Sequence, residues 1–176
     1  MRTITTVILA LMLFTLVGCG KQKNPAPKVD LHSAVVTGDL EVIRQHIKAG
    51  SDLNVLEPSR ASTPLMTAAA LGKTEAAKIL IDAGADLNYQ NNDGSTALHT
   101  AAFFCREDIV KALLEKGADK TIKNKMGRTA YEIVNLPFED IKGFYDAFGA
   151  ELKPTGLKLD YDRIKTARPK IAEMLK

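Results

Sequence analysis

The sequence predicts an all-α solenoid of stacked antiparallel helix pairs joined by short hairpin loops, and three observations predict it. First, Thr63-Pro64-Leu65-Met66-Thr67-Ala68-Ala69 returns thirty-three positions later as Thr96-Ala97-Leu98-His99-Thr100-Ala101-Ala102, and Thr129-Ala130-Tyr131 follows after another thirty-three. Second, Gly84-Ala85-Asp86-Leu87-Asn88 returns as Gly117-Ala118-Asp119 at the same period. Gly50-Ser51-Asp52-Leu53-Asn54 lies thirty-four positions upstream and Gly149-Ala150-Glu151-Leu152 thirty-two downstream. Third, Ile79 and Leu80, then Ile109, Val110, Leu113 and Leu114, recur as the apolar stripe of an amphipathic helix. A unit of this length cannot bury its apolar face alone, so neighbouring units must stack and share a continuous core.

The elements in chain order begin with a segment unlike the rest. Arg2 precedes a nearly uninterrupted apolar run from Ile4 to Val17, about fourteen residues. That is short of the roughly twenty needed to cross a bilayer and fits the apolar region of a signal peptide over residues 1–18. The run ends in Leu16-Val17-Gly18-Cys19, which resembles the bacterial lipobox. The resemblance implies a diacylglycerol on the Cys19 thiol, cleavage before it and acylation of the new amine. It places the chain in the bacterial cell envelope, lipid-anchored and facing the periplasm. Gly20 follows the cysteine where aspartate would signal inner-membrane retention, so the expected site is the outer membrane rather than the inner. Polar residues and Pro25-Ala26-Pro27 then make residues 19–29 a lipidated cysteine and flexible tether.

Four repeats are expected over residues 30–152, at about 30–54, 55–88, 89–121 and 122–152. Thr63 and Thr96 suit helix N-caps, and Pro64 stands at a first helical position, where its missing N–H is harmless. Ala68-Ala69 and Ala101-Ala102 let adjacent helices approach closely. Gly84 and Gly117 end second helices where a left-handed residue is wanted. The second repeat carries one extra loop residue, and the fourth has Val134-Asn135 where the second and third have Ala-Ala. Residues 153–176 depart from the pattern and are expected to form a degenerate helical C-terminal cap. In that cap Asp160–Thr166 makes one short helix, and Ile171, Ala172 and Leu175 stand where a second repeat helix would have them. A rival reading makes Leu136–Thr166 an insertion within the fourth repeat; the Gly149 match favours the cap.

These motifs resemble the ankyrin repeat, over about residues 30 to 152. The resemblance implies a protein-binding module whose partner contacts the hairpin tips and the open side of the first helices, together a concave face. Carried over position by position, the tips are Ser59, Arg60 and Ser62; Asn92, Asp93 and Ser95; and Lys125, Met126 and Arg128. The first helices add Val36 and Thr37, Ala70 and Leu71, and Phe103 and Phe104. Adjacent residues on a helix cannot point the same way, so one of Phe103 and Phe104 is expected to be an exposed interface anchor, with both tucked against the next repeat as the alternative. Lys123, Lys125 and Arg128 suggest a partner with acidic character.

No chemistry is expected from this chain. His32 and His99 hold the repeat's histidine position, where the resemblance implies hydrogen bonds to turn backbone, and His46 is expected to face solvent. No His/Cys/Asp/Glu cluster shows metal-ligand spacing, no glycine loop cradles phosphate, and no cofactor is implied. Cys105 replaces the glycine that ends a first helix. It is read either as a redox-sensitive thiol or as a buried inert substitution. A formal charge of +3, with Lys and Asp/Glu interleaved, argues against nucleic acid. Hydrophobic content of 45% permits a packed core. The expected function is a monomeric periplasmic binding module, an adaptor or protective factor for an envelope enzyme. The alternatives are an immunity protein that occludes a toxin and a structural envelope lipoprotein without a specific partner.

Overall fold

The computed structural model describes residues 25–176. The proposed leader, Cys19 and the first part of the tether lie outside the described residues. Successive helix pairs are α1 (Leu31–Thr37) with α2 (Leu40–Ala49), α3 (Pro64–Leu71) with α4 (Thr74–Asp82), and α5 (Ala97–Phe103) with α6 (Glu107–Glu115). They are followed by α7 (Ala130–Val134), α8 (Phe138–Leu152), a 3-10 turn at Lys153–Thr155, and α9 (Tyr161–Leu175). No strand occurs among the described residues.

Each first helix starts for the same local reason. The side chains of Asp30, Thr63, Thr96 and Thr129 accept from the backbone N–H three residues on, satisfying a donor that the helix itself leaves unpaired. Ala68, Ala69, Ala101 and Ala102 are completely buried, because only a methyl-sized side chain lets the first helices α1, α3, α5 and α7 pack in a row. Leu80, Ile109, Val110 and Leu113 fill the layer between that row and the second helices. Hairpin loops are tied across repeats. The Asn54 and Asn88 side-chain carbonyls accept from the N–H of Asp86 and Asp119, each at 2.9 Å.

The first helices α1, α3 and α5 are each followed by a residue in the left-handed region. Gly72, at φ +70°, adopts it without strain, and a Cβ there would lie 2.8 Å from the guanidinium carbon of Arg106. Arg106 in turn donates to the Ala70 carbonyl at 3.0 Å, neutralising an orphan acceptor at the end of α3. At the equivalent place after α5 stands Cys105, at φ +51° and 2% exposed. Arg163 donates to the Phe104 and Cys105 carbonyls there. A non-glycine residue in this conformation costs roughly 1–2 kcal/mol. Cys105→Ala keeps that strain and loses a buried sulfur, so it is expected to destabilise by about 1 kcal/mol. Cys105→Gly removes more atoms but relieves the strain, and is expected to be at least as stable as the alanine variant. Urea titration of the two variants checks this order; a clearly more stable alanine variant would show that no strain is held at this position.

The fourth unit differs from the sequence expectation. Its first helix, α7, stops after five residues, because Pro137 forces the preceding residue out of the helical region. The second helix of the pair is α9, which packs against both α7 and α6. Ile171, Ala172 and Leu175 are buried there at the spacing of Ile109, Val110 and Leu113. The repeat boundary at 152 and the separate cap over 153–176 are therefore corrected. Residues 135–160 are an insertion between the two helices of one repeat, and α9 runs unbroken through Pro169 rather than as two short helices. Gly149, whose spacing favoured the cap, lies inside α8 and ends nothing. Arg168 closes the altered junction. Its guanidinium is buried and donates to the Ile133 and Leu136 carbonyls at the end of α7 and to the Tyr145 hydroxyl.

Candidate protein-binding face

Helix α8 leaves the fourth repeat and lies back across the open side of the first helices. Ile141, Tyr145, Phe148 and Leu152 recur at helical spacing along the face it turns to the solenoid. Tyr145 is wholly buried. Its ring stacks on Phe103 with centroids 4.2 Å apart, and its hydroxyl donates to the Phe103 carbonyl at 2.6 Å. Phe148 packs on Phe103 and Phe104, at 5.5 and 5.6 Å between centroids. The C-terminal end of α8 reaches the first hairpin. There Arg60 donates to both Glu151 oxygens, at 2.9 and 2.6 Å, and its guanidinium sits 4.5 Å from the Phe148 ring centroid. Arg60 also pairs with Asp93 of the next hairpin at 2.9 Å. Arg60 holds the Glu151 carboxyl below its usual range, and Glu151 in turn raises the guanidinium. All three side chains are substantially solvated, so this network contributes on the order of 1 kcal/mol or less. Burial of Tyr145 and its aromatic neighbours contributes more, on the order of several kcal/mol. The aromatic cluster pins α8, and the ion pairs set where its end rests.

This placement redistributes the expected partner residues. Phe104 is 2% exposed and Phe103 is half-buried beneath α8, so neither is the exposed anchor that the sequence suggested. The reason is tertiary: an inserted helix from the next repeat covers them. Arg60 and Asp93 belong to the ion-pair network, and Leu71 lies half-buried on the wall below α8. The Asn92 N–H donates to the Arg60 carbonyl at 2.9 Å and the Ser95 N–H to the Asn91 side chain at 3.0 Å, so these positions brace the hairpins. The Arg128 carbonyl accepts from His99, which leaves Lys125 and Met126 as the open tip of the third hairpin. Met126 is 57% exposed, and Phe144, on the outer edge of α8, is 49% exposed; both line the same groove. Sequence reasoning missed Phe144, Tyr145, Phe148 and Glu151. The available signal was the density of aromatic residues between Phe138 and Phe148, in a stretch that should have carried a second repeat helix.

The histidines are structural. His99 donates through Nε2 to the Arg128 carbonyl at 3.1 Å and accepts the Thr96 N–H at Nδ1, tying one hairpin to the next helix. Burial lowers its pKa and favours this neutral form, although the Arg128 carbonyl opposes the shift. His32 donates likewise to the Val55 carbonyl at 2.9 Å. His46 is buried rather than solvent-facing. It donates to the Val29 carbonyl at 2.8 Å and lies 3.0 Å from the Ser51 hydroxyl, which clamps the chain leading into α1. In the first hairpin, burial works to raise the Glu57 carboxyl, but the Ser59 hydroxyl and the N–H groups of Ser59, Arg60 and Ser62 outweigh it and hold the group at about 2. Burial pushes the Cys105 thiol up to about 11 despite the nearby Arg168, Arg163 and Arg106. It therefore stays protonated, which is the inert of the two readings. Among the described residues no group of three His, Cys, Asp or Glu side chains could hold a metal, and no helix is long and apolar enough to cross a membrane.

Capped helix pairs, stacked first helix on first helix and offering hairpin tips beside a groove, define a repeat scaffold of the protein-interaction class. A sequence model described as ankyrin repeats (3 copies) matches residues 31–124, more than half of the chain. The chain belongs to the ankyrin-repeat family. The match ends before α7, so the insertion and α9 lie beyond it. The chain is similar to human protein phosphatase 1 regulatory subunit 27, at 35% identity over 71 residues, 40% of this chain and 46% of that protein. It is also similar to human ARF GTPase-activating protein GIT1, at 41% identity over 56 residues, 32% of this chain and 7% of that protein. It thus spans less than half the length of these relatives. Among solved structures, the ankyrin repeat domain of Bcl-3 matches with a TM-score of 0.57 and 29% identity, over 58% of this chain and 45% of that one.

Proposed function

We propose that the chain is a membrane-tethered adaptor of the bacterial cell envelope. A lipid on Cys19 holds it to the membrane, residues 20–28 supply reach, and the solenoid, acting as a monomer, binds one envelope protein as an adaptor or protective factor for an enzyme. The observation that carries the protein-binding part of this reading is the pair of large apolar side chains, Met126 and Phe144, held open to solvent beside basic Lys125 at the rim of one groove. Exposed apolar groups on a braced scaffold make effective anchors, because the backbone that carries them loses little freedom on association. The relative named as a phosphatase regulatory subunit supports regulation of an enzyme through binding.

The test is site-specific photo-crosslinking in cells, with a crosslinker at Met126 and a reference at Lys111 on the exposed side of α6. One protein species is expected from Met126 and not from Lys111, and Met126→Asp with Phe144→Asp is expected to abolish its co-purification. The same species from both positions, or recovery unaffected by the double change, would overturn the assigned face. For the anchor, palmitate labelling is expected to disappear in Cys19→Ser, and unchanged labelling would exclude a lipid on that residue.

A further inference from the structure

The first hairpin shows how a helix docks on this face. Helix α8 lays Tyr145 and Phe148 against the aromatic end of α5 and sets a carboxylate, Glu151, on the hairpin-tip cation Arg60 at 2.6 Å. The third hairpin presents the same two chemistries with nothing upon them. Among the described residues no carboxylate lies within ion-pair distance of the Lys125 ammonium, and Met126 beside it is open to solvent. Across the mouth of the groove α8 exposes Phe144 and Ala147, which are neighbours on one edge of that helix. The groove behind them holds about 650 Å³, room for large side chains that enter from outside.

Backbone hydrogen bonding decides the conformation of the guest. Every N–H of residues 91–95 and 124–128 is already donated within or between the hairpins, and the remaining walls are helices. An extended segment would find no donors there for its own carbonyls, whereas a helix satisfies its own backbone and brings only side chains to the surface. Charge decides its polarity. At the first two tips Glu57, Asp93 and Glu151 outnumber Arg60, so a further carboxylate is repelled there and attracted at Lys125. We infer that the rim formed by Lys125, Met126 and Phe144 takes an amphipathic α-helix of the partner. Its apolar residues, at helical spacing, rest on Met126 and Phe144 and send a large side chain into the groove, and an acidic residue pairs with Lys125. This rests on the protein-binding reading above and gives that partner a chemical class.

The experiment pans a phage-displayed library of random peptides, each long enough for about four helical turns, on the purified full chain. Enriched peptides are expected to carry apolar residues at helical spacing beside Glu or Asp, and a proline placed mid-peptide is expected to abolish their binding. Changing the acidic residue to its amide is expected to weaken binding about threefold on wild type, as for an exposed ion pair, and to change nothing on Lys125→Gln. Panning on Lys125→Glu is expected to enrich basic peptides instead. Met126→Asp with Phe144→Asp, both at exposed positions, is expected to weaken the acidic peptides more than roughly tenfold. The helix site is refuted by a lack of enrichment, by basic peptides emerging on wild type, by tolerance of proline, or by undiminished binding to the Met126→Asp/Phe144→Asp chain. Any of these results alongside a single species crosslinked at Met126 in cells would overturn the helix chemistry and leave the face standing. Acidic helical peptides with no species crosslinked at Met126 would support the site and overturn the adaptor role.

Discussion

Tyr145→Ala is expected to lower stability by about 3–5 kcal/mol, the range for removing a large aromatic side chain from a packed interior. Tyr145 is wholly buried, stacks on Phe103 and also contacts Phe138. Its hydroxyl satisfies the Phe103 carbonyl, an acceptor left unpaired by the end of α5. Tyr145→Phe keeps the ring and loses that hydrogen bond, so it is expected to lose about 1 kcal/mol. The two variants separate aromatic packing from the bond it carries. Stability in a solenoid sums the contributions of each unit and of its contacts with its neighbours. The alanine variant should therefore release α8 while α1–α6 stay folded. Hydrogen exchange should show fast amides across 138–152 and unchanged protection in α3 and α5. Uniformly raised exchange along the whole stack would refute α8 as a locally attached element.

Arg168→Ala is expected to lower stability by about 3 kcal/mol, because it strands the Ile133 and Leu136 carbonyls in a buried junction and removes the packed stem. In the other repeats a left-handed residue turns the chain directly into the second helix. Here the chain departs into the insertion, and Arg168, arriving from α9, supplies the missing donors. Arg168→Lys is expected to recover less than half of the loss. Its single ammonium cannot reproduce the planar fork that serves two carbonyls and the Tyr145 hydroxyl from different directions. Denaturant midpoints of the two variants check this; full recovery by lysine would show that charge alone, and not the geometry of the fork, matters at the junction.

Much of this architecture was legible because its causes are local. A threonine three residues before the N–H it caps, a proline at a first helical position, and paired alanines where two backbones approach are each readable from neighbouring residues. Their return at thirty-three positions then dictates stacking. The fate of His46 was less visible. Its burial depends on the Val29 carbonyl, seventeen residues earlier. The partner face was misjudged for a similar reason. At Phe103 and Phe104 the local pattern leaves one side open, and nothing near them in sequence shows that a helix forty residues on will cover it.

The amino-acid order alone therefore settled the helix pairs, their caps and the direction in which they pile, since each follows from contacts within a turn or between identical neighbours. Folding in three dimensions settled which segment completes the fourth pair and what lies over the concave side. Those outcomes rest on long-range contacts, such as Tyr145 on Phe103 and Arg60 with Glu151, between segments that share no repeat register. An aromatic helix with no apolar partner of its own buries its face on the nearest open surface, and here that surface is the one the repeats themselves leave uncovered.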